Sequence, residues 1–148
     1  MVKLLILVVI ILVIFGIFYL INQLDSAGDK NFANSPLDNP AYTNISAEEL
    51  RAMLGQKDFK LVDVHIPEQA HIPNTDYFIP YDDIERFVAL LPDKKERIVL
   101  YCRSGNMSQI LAEQLVQRGY TSLFNLEGGM NEWQAVQSPL IPIGSLNN

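Results

Sequence analysis

The sequence predicts a small α/β domain, a mostly parallel sheet flanked by helices, preceded by one transmembrane helix. Three observations carry that expectation. Short apolar runs alternate with amphipathic helical patterns through the C-terminal two thirds, as in sheets built from strand–helix–strand units. The N-terminal stretch "LLILVVIILVIFGIFYLI", residues 4–21, carries no charge and no strongly polar side chain. Setting aside that stretch and a polar linker leaves roughly 105 residues, enough for one core.

The N-terminal run, as a helix rising 1.5 Å per residue, reaches about 27 Å, close to the thickness of the bilayer hydrocarbon. Tyr19 lies near one end, at headgroup depth. A cleaved signal peptide is the competing expectation, and Ser26 and Gly28 offer small residues for cleavage. The apolar run, however, exceeds the usual signal core. Residues 1–24 are therefore expected to anchor the chain in a lipid bilayer as a single pass. Lys3 and the terminal amine precede the span, whereas Asp25, Asp29 and only Lys30 follow it. That distribution favours a cytoplasmic N-terminus and a domain on the exported, periplasmic or extracellular side. Residues 25–43, rich in Asn, Asp, Ser, Ala and Pro, read as a linker, and residues 44–148 as the domain.

The domain opens with "NISAEELRAMLG". Ser46 and Glu49 have the spacing of a capping box, Ile45 and Leu50 that of a hydrophobic staple, and Gly55 can end the helix. Residues 59–65, "FKLVDVH", read as a buried strand and 77–80, "YFIP", as a short one. A helix follows from about Asp82 to Leu91, stopped by Pro92. "RIVLYC" is a strand ending at Cys102. Ile110, Leu111, Leu115 and Val116 then recur at helical spacing, from a start near Met107 or Ser108 to a stop at Gly119. "SLFNLEGG" is the last strand, and "MNEWQAV" a short helix anchored by Trp133.

Composition excludes several functions. Seventeen acidic against eleven basic residues give a net charge of −6, so no nucleic-acid partner is expected. One Cys forms no disulfide within the chain, and with two His it makes a poor zinc set. The single cysteine is instead the candidate catalytic residue. Cys102 ends a strand, "RSGN" follows, and a helix begins. In a parallel sheet ligands bind beyond the carboxyl ends of the strands. Gly105 lets the backbone curl so that amides of residues 103–108 point at an anionic sulfur, with the helix dipole behind them and Arg103 beside them. A small buried hydrophobe is the alternative reading of a lone Cys after an apolar strand.

The segments "LVDVHIPEQ", "AHIPNTDYFIP", "YCRSGNMS" and "LEGGMNEW" stand in an order and at spacings that resemble a single rhodanese-like domain, from about Ile45 to Leu140. The resemblance implies a small α/β fold and a sulfurtransferase that moves sulfane sulfur through a cysteine persulfide. It makes Cys102 the persulfide carrier. Arg103, Ser104, Gly105, Asn106 and Met107 become the sulfur-binding cradle, with Ser108 at the helix start. A small sulfur donor and a thiol or cyanide acceptor are the implied partners, and neither metal nor organic cofactor is required.

Two departures from the family pattern stand out. Met107 occupies the place where the commonest loops end in Arg, and His65 the place of Arg in the first motif. Without that loop guanidinium a thiosulfate donor loses a bidentate clamp, so polysulfide or a persulfide gains ground. The same Met107 supports a different class of function, a catalytically weak module that docks a partner protein at the membrane. A cysteine phosphatase would need a loop one residue longer ending in Arg, where this chain has Ser108. His71 is expected to be structural, Asp63 a local hydrogen-bond acceptor, and Gly128 and Gly129 a tight turn beside the cysteine loop. His65 can face the site but is a weak candidate for a general base.

Overall fold

The computed structural model describes residues 42–146. The expected membrane helix over 4–21 and most of the linker lie outside them; among the described residues no helix is long and apolar enough to cross a membrane. Among the described residues five strands and four helices follow one another: β1 Tyr42–Ile45, α1 Ala47–Leu54, β2 Lys60–Asp63, β3 Tyr77–Phe78, α2 Ile84–Leu90, β4 Ile98–Tyr101, α3 Asn106–Gln117, β5 Leu123–Leu126 and α4 Gly129–Ala135. The strands form one sheet in the order β1-β5-β4-β2-β3, and every neighbouring pair is parallel.

The first strand corrects the linker boundary. Tyr42 and Thr43, assigned to a linker ending at residue 43, pair with Leu123 and Phe124 instead. The backbone of this segment completes the ladder on the open edge of β5. The two ends of the strand are buried: Tyr42 in one apolar cluster and Ile45 in the other. Its polar middle hid it, because Asn44 spends its side chain on Asn125 of the partner strand at 3.0 Å.

The strands sort their side chains by period-2 alternation. Val62, Ile98 and Leu100 point to one face, where Phe87 of α2 and Leu111 and Leu115 of α3 cover them. Leu61, Val99 and Tyr101 point to the other, under Leu50 of α1 and Trp133 of α4. All four residues of β4 are buried, which explains why this strand reads as a continuous apolar run rather than an alternating one.

The expected capping box is present: the Glu49 amide donates to Ser46 Oγ at 3.2 Å, and the Ser46 amide to Glu49 Oε2 at 2.7 Å. Asp83 caps α2 by accepting from the Arg86 amide. The strand expected over 77–80 is shorter, two residues, and α3 starts one residue earlier than expected, at Asn106. Gly105 takes a left-handed φ of 90° and turns the chain directly into the helix.

Strand order places the functional end of the sheet. From β4 the chain neighbours β2 on one side and β5 on the other. Connections thus diverge beside β4, and a crevice opens beyond its carboxyl end. Cys102 is the next residue.

Candidate active site

Cys102 is 1% exposed, and the β4–α3 turn folds over its sulfur. The Gly105 amide donates to Sγ at 3.1 Å. Ser108 Oγ lies 3.7 Å from Sγ and 3.0 Å from the Gly105 carbonyl, so its single proton serves one of the two at a time. Two donors thus converge on one sulfur at the start of a twelve-residue helix that has no side-chain cap of its own. A backbone N–H, a hydroxyl and the positive end of the helix dipole all stabilise negative charge at that point.

The predicted cradle residues divide into two groups. Gly105 and Ser108 are buried against the sulfur, while Arg103, Ser104 and Asn106 stand exposed at the rim. Met107 is half-buried and packs on the apolar cluster that includes Leu111 and Cys102 itself. It leaves no cation at the position where an arginine clamp would stand.

The loop is held from beneath by the β5–α4 turn. The Met130 amide donates to the Cys102 carbonyl at 2.9 Å, and the Asn131 amide to the Arg103 carbonyl at 3.0 Å. These bonds need backbone against backbone. A Cβ on Gly129, whose φ is 58°, would lie 2.2 Å from the Cys102 carbonyl oxygen. The tight turn expected beside the cysteine loop is therefore a direct support for it.

Across the sheet, Asp63 and His71 occupy a fully buried polar pocket. Asp63 Oδ1 accepts from the His65 amide at 2.9 Å, and Oδ2 meets His71 Nδ1 at 2.8 Å. His71 Nε2 meets Glu68 Oε1 at 3.1 Å. Burial pushes the Asp63 carboxyl up to about 6, against the lowering pull of those hydrogen bonds. Both residues shape the loop after β2, which agrees with a structural His71 and a local acceptor role for Asp63. Tyr101, one residue before the cysteine, joins this network: its hydroxyl accepts from the Ile72 amide at 3.1 Å and pairs with Thr75 Oγ1 at 2.7 Å.

His65 differs from His71. It is 7% exposed, and neither ring nitrogen has a hydrogen-bond partner among the described residues. Burial, aided by the positive charge of Arg103, holds its imidazole below the usual range, hence neutral at pH 7. Its neighbours disfavour the protonated state that a general base must pass through.

A model of the rhodanese-like domain matches residues 46–136. The adenylyltransferase and sulfurtransferase uba4 of Ogataea parapolymorpha is 33% identical over 102 residues, which cover 67% of this chain and 25% of that protein. This chain thus spans about a quarter of that relative's length. Thiosulfate sulfurtransferase GlpE of Pseudoalteromonas translucida is 26% identical over 101 residues, 66% of this chain and 94% of GlpE. Among solved structures, a rhodanese-like domain protein from Staphylococcus aureus superposes with a TM-score of 0.55 at 32% identity, covering 62% of this chain and 90% of that one.

Proposed function

The chain belongs to the rhodanese-like domain family, and from that premise we propose that it is a sulfurtransferase carrying sulfane sulfur as a persulfide on Cys102. One observation carries the reading: the Cys102 sulfur lies beneath the Gly105 amide at 3.1 Å, at the uncapped start of α3.

The chemistry needs two displacements. The Cys102 thiolate attacks the outer sulfur of a donor R–S–S⁻. The Sγ–S bond forms, the donor S–S bond breaks, and RS⁻ leaves with the bonding pair. An acceptor thiolate then attacks the outer sulfur of Cys102–S–S⁻. The acceptor keeps that sulfur, and the Cys102 thiolate is regenerated. Sulfane sulfur moves at its own oxidation level, so no external oxidant or reductant enters. In the thiolate the negative charge sits on Sγ, where the Gly105 amide already points, and in the persulfide it moves one bond out to the terminal sulfur.

The donor is polysulfide or a low-molecular-weight persulfide in preference to thiosulfate. Met107 packs on the core and offers no charge to the second anionic end of thiosulfate, which leaves Arg103 as the cation of the loop. Replacing Met107 with Arg is expected to raise thiosulfate use several-fold relative to polysulfide.

Tethering completes the proposal. Residues 4–21, uncharged and apolar, anchor the domain to a bilayer, and the charges around them favour export. Protease added to sealed spheroplasts should digest the domain; full protection until the membrane is breached would put it on the cytoplasmic side.

The catalytic reading is tested with polysulfide and cyanide. The wild-type protein should release thiocyanate with turnover, and Cys102→Ser should release none above the uncatalysed background. Equal rates for the two would leave a partner-docking module as the better account.

A further inference from the structure

Because every neighbouring pair of strands is parallel, the strands all begin at one end of the sheet and finish at the other. Tyr42, Leu123, Ile98 and Lys60 are successive Cα partners, so they form one row across the starting end. The chain that leads from residue 41 therefore joins the domain at Tyr42, level with Lys60. Cys102 follows the last residue of β4, about 13 Å from Ile98 along the strand direction. The attachment point and the nucleophile occupy opposite ends of the sheet.

Charge divides along the same axis. The stretches that lead into and open β2 to β5 carry Lys57, Lys60, Lys94, Lys95, Arg97 and Arg118 against Asp58, Asp76, Asp93 and Glu96. The rest of the described domain has three basic residues against ten acidic ones. Backbone bonds draw the basic stretches together: the Lys60 amide donates to the Arg97 carbonyl and the Thr121 amide to the Lys94 carbonyl, both at 2.9 Å. Asp76 is taken by Lys57 and Asp58 by Arg97, while Arg118 answers Glu85 of α2. Lys60, Lys94 and Lys95 have no ion pair among the described residues, and Lys94 and Lys95 are exposed. An acidic domain thus has one basic end.

We propose that this end docks on an anionic lipid surface, with Lys60, Lys94 and Lys95 toward the headgroups and the Cys102 loop turned to the aqueous side. The inference rests on the tethering part of the proposed function and adds the domain's orientation. Two observations favour a bilayer over an acidic protein as the occupant. Residues 25–41 reach at most about 60 Å when fully extended, which keeps the domain close to the membrane that anchors it. They also join the domain at the basic end itself. A few lysines suffice there, because contact with a surface already held nearby is effectively intramolecular. The opposite end, rich in carboxylates, is repelled by lipid phosphates. Arg103 and Ser104 at the rim of the cysteine loop then face water, from which donor and acceptor arrive.

The test uses full-length Cys102→Ser protein in vesicles, with one fluorophore attached through Gln56→Cys at the basic end or Ser104→Cys at the loop rim. A trace of lipid with a nitroxide headgroup serves as quencher. In phosphatidylcholine with about a third phosphatidylglycerol, quenching at position 56 should exceed that at 104 several-fold. The difference should shrink in phosphatidylcholine alone, in 0.5 M salt, and in the variant Lys94→Glu/Lys95→Glu. Equal quenching at the two positions, stronger quenching at 104, or a difference that the charge reversal leaves intact overturns the orientation. Flotation with pure phosphatidylcholine vesicles at alkaline pH separates this inference from the tether beneath it. Protein that floats there while the two positions quench alike keeps the tether and loses the docking face. Protein that fails to float there, yet binds phosphatidylglycerol vesicles through position 56 in a salt-sensitive way, keeps the docking face and loses the tether.

Discussion

Helices α1 and α3 both follow strands of the same sheet, and they begin in opposite ways. At α1 the chain closes its own helix end. Ser46 and Glu49 exchange side-chain bonds with each other's amides, and Ile45 and Leu50 are buried beneath them. At α3 the equivalent position is Gly105, which has no side chain to give, and its amide goes to the Cys102 sulfur. A helix start that serves only the fold satisfies its donors locally. One left open beside a nucleophile keeps donors and dipole for charge that develops there. An uncapped start is not by itself the mark of function. Helix α4 also opens on a glycine, Gly128, but its first amides go to the Cys102 and Arg103 carbonyls. What sets α3 apart is that its open donor meets a sulfur.

Substitutions at the two helix starts should have separable effects, and the largest lies under α3. Gly129→Ala places a methyl 2.2 Å from the Cys102 carbonyl oxygen, at a φ of 58°. Strain and overpacking together should cost on the order of 3 kcal/mol and displace the cysteine loop. Urea unfolding with a thiocyanate assay would show both losses in one variant. Gly105→Ala is next. Its φ is 90°, and the new Cβ would lie 3.1 Å from the Gly128 amide nitrogen. About 1–2 kcal/mol of stability should go, together with most of the sulfur loading, since this amide is the one that meets Sγ. Ser46→Ala should remove about 1 kcal/mol and leave the turnover rate of the folded protein unchanged. A matching loss of turnover there would erase the distinction between the two ends.

A smaller effect, read as a slope, tests the buried network behind the loop. The Asp63 carboxyl is raised from 3.8 to about 6 in the folded protein. Between those values the folded state binds the proton more readily than the unfolded one. The stability this group contributes is therefore fully present below about pH 4 and is lost as pH rises through about 6. Asp63→Asn should flatten that decline in urea midpoints measured from pH 4 to 7; an unchanged slope would assign it to other groups.

The sequence showed some of these features plainly and concealed others. The capping box, the strand into Cys102 and the glycine-bearing turn were legible because each is fixed by residues within a few positions of one another. β1 was not, because its apolar residues sit only at the ends, Tyr42 and Ile45, and its polar centre is satisfied by Asn125 far along the chain. The contrast between His65 and His71 was only partly visible. Both follow β2, but Asp63 and Glu68 make one a bonded scaffold, while the other has no partner among the described residues.

The central claim is that the open start of α3 exists to hold sulfur on Cys102, and intact mass spectrometry tests it most directly. After exposure to polysulfide, removal of excess reagent and no reductant, the wild-type protein should gain the mass of one sulfur atom. A small thiol should remove it, and Cys102→Ser should never acquire it. A wild-type mass that stays unchanged under polysulfide and thiosulfate alike, in protein shown to be folded, would contradict the account.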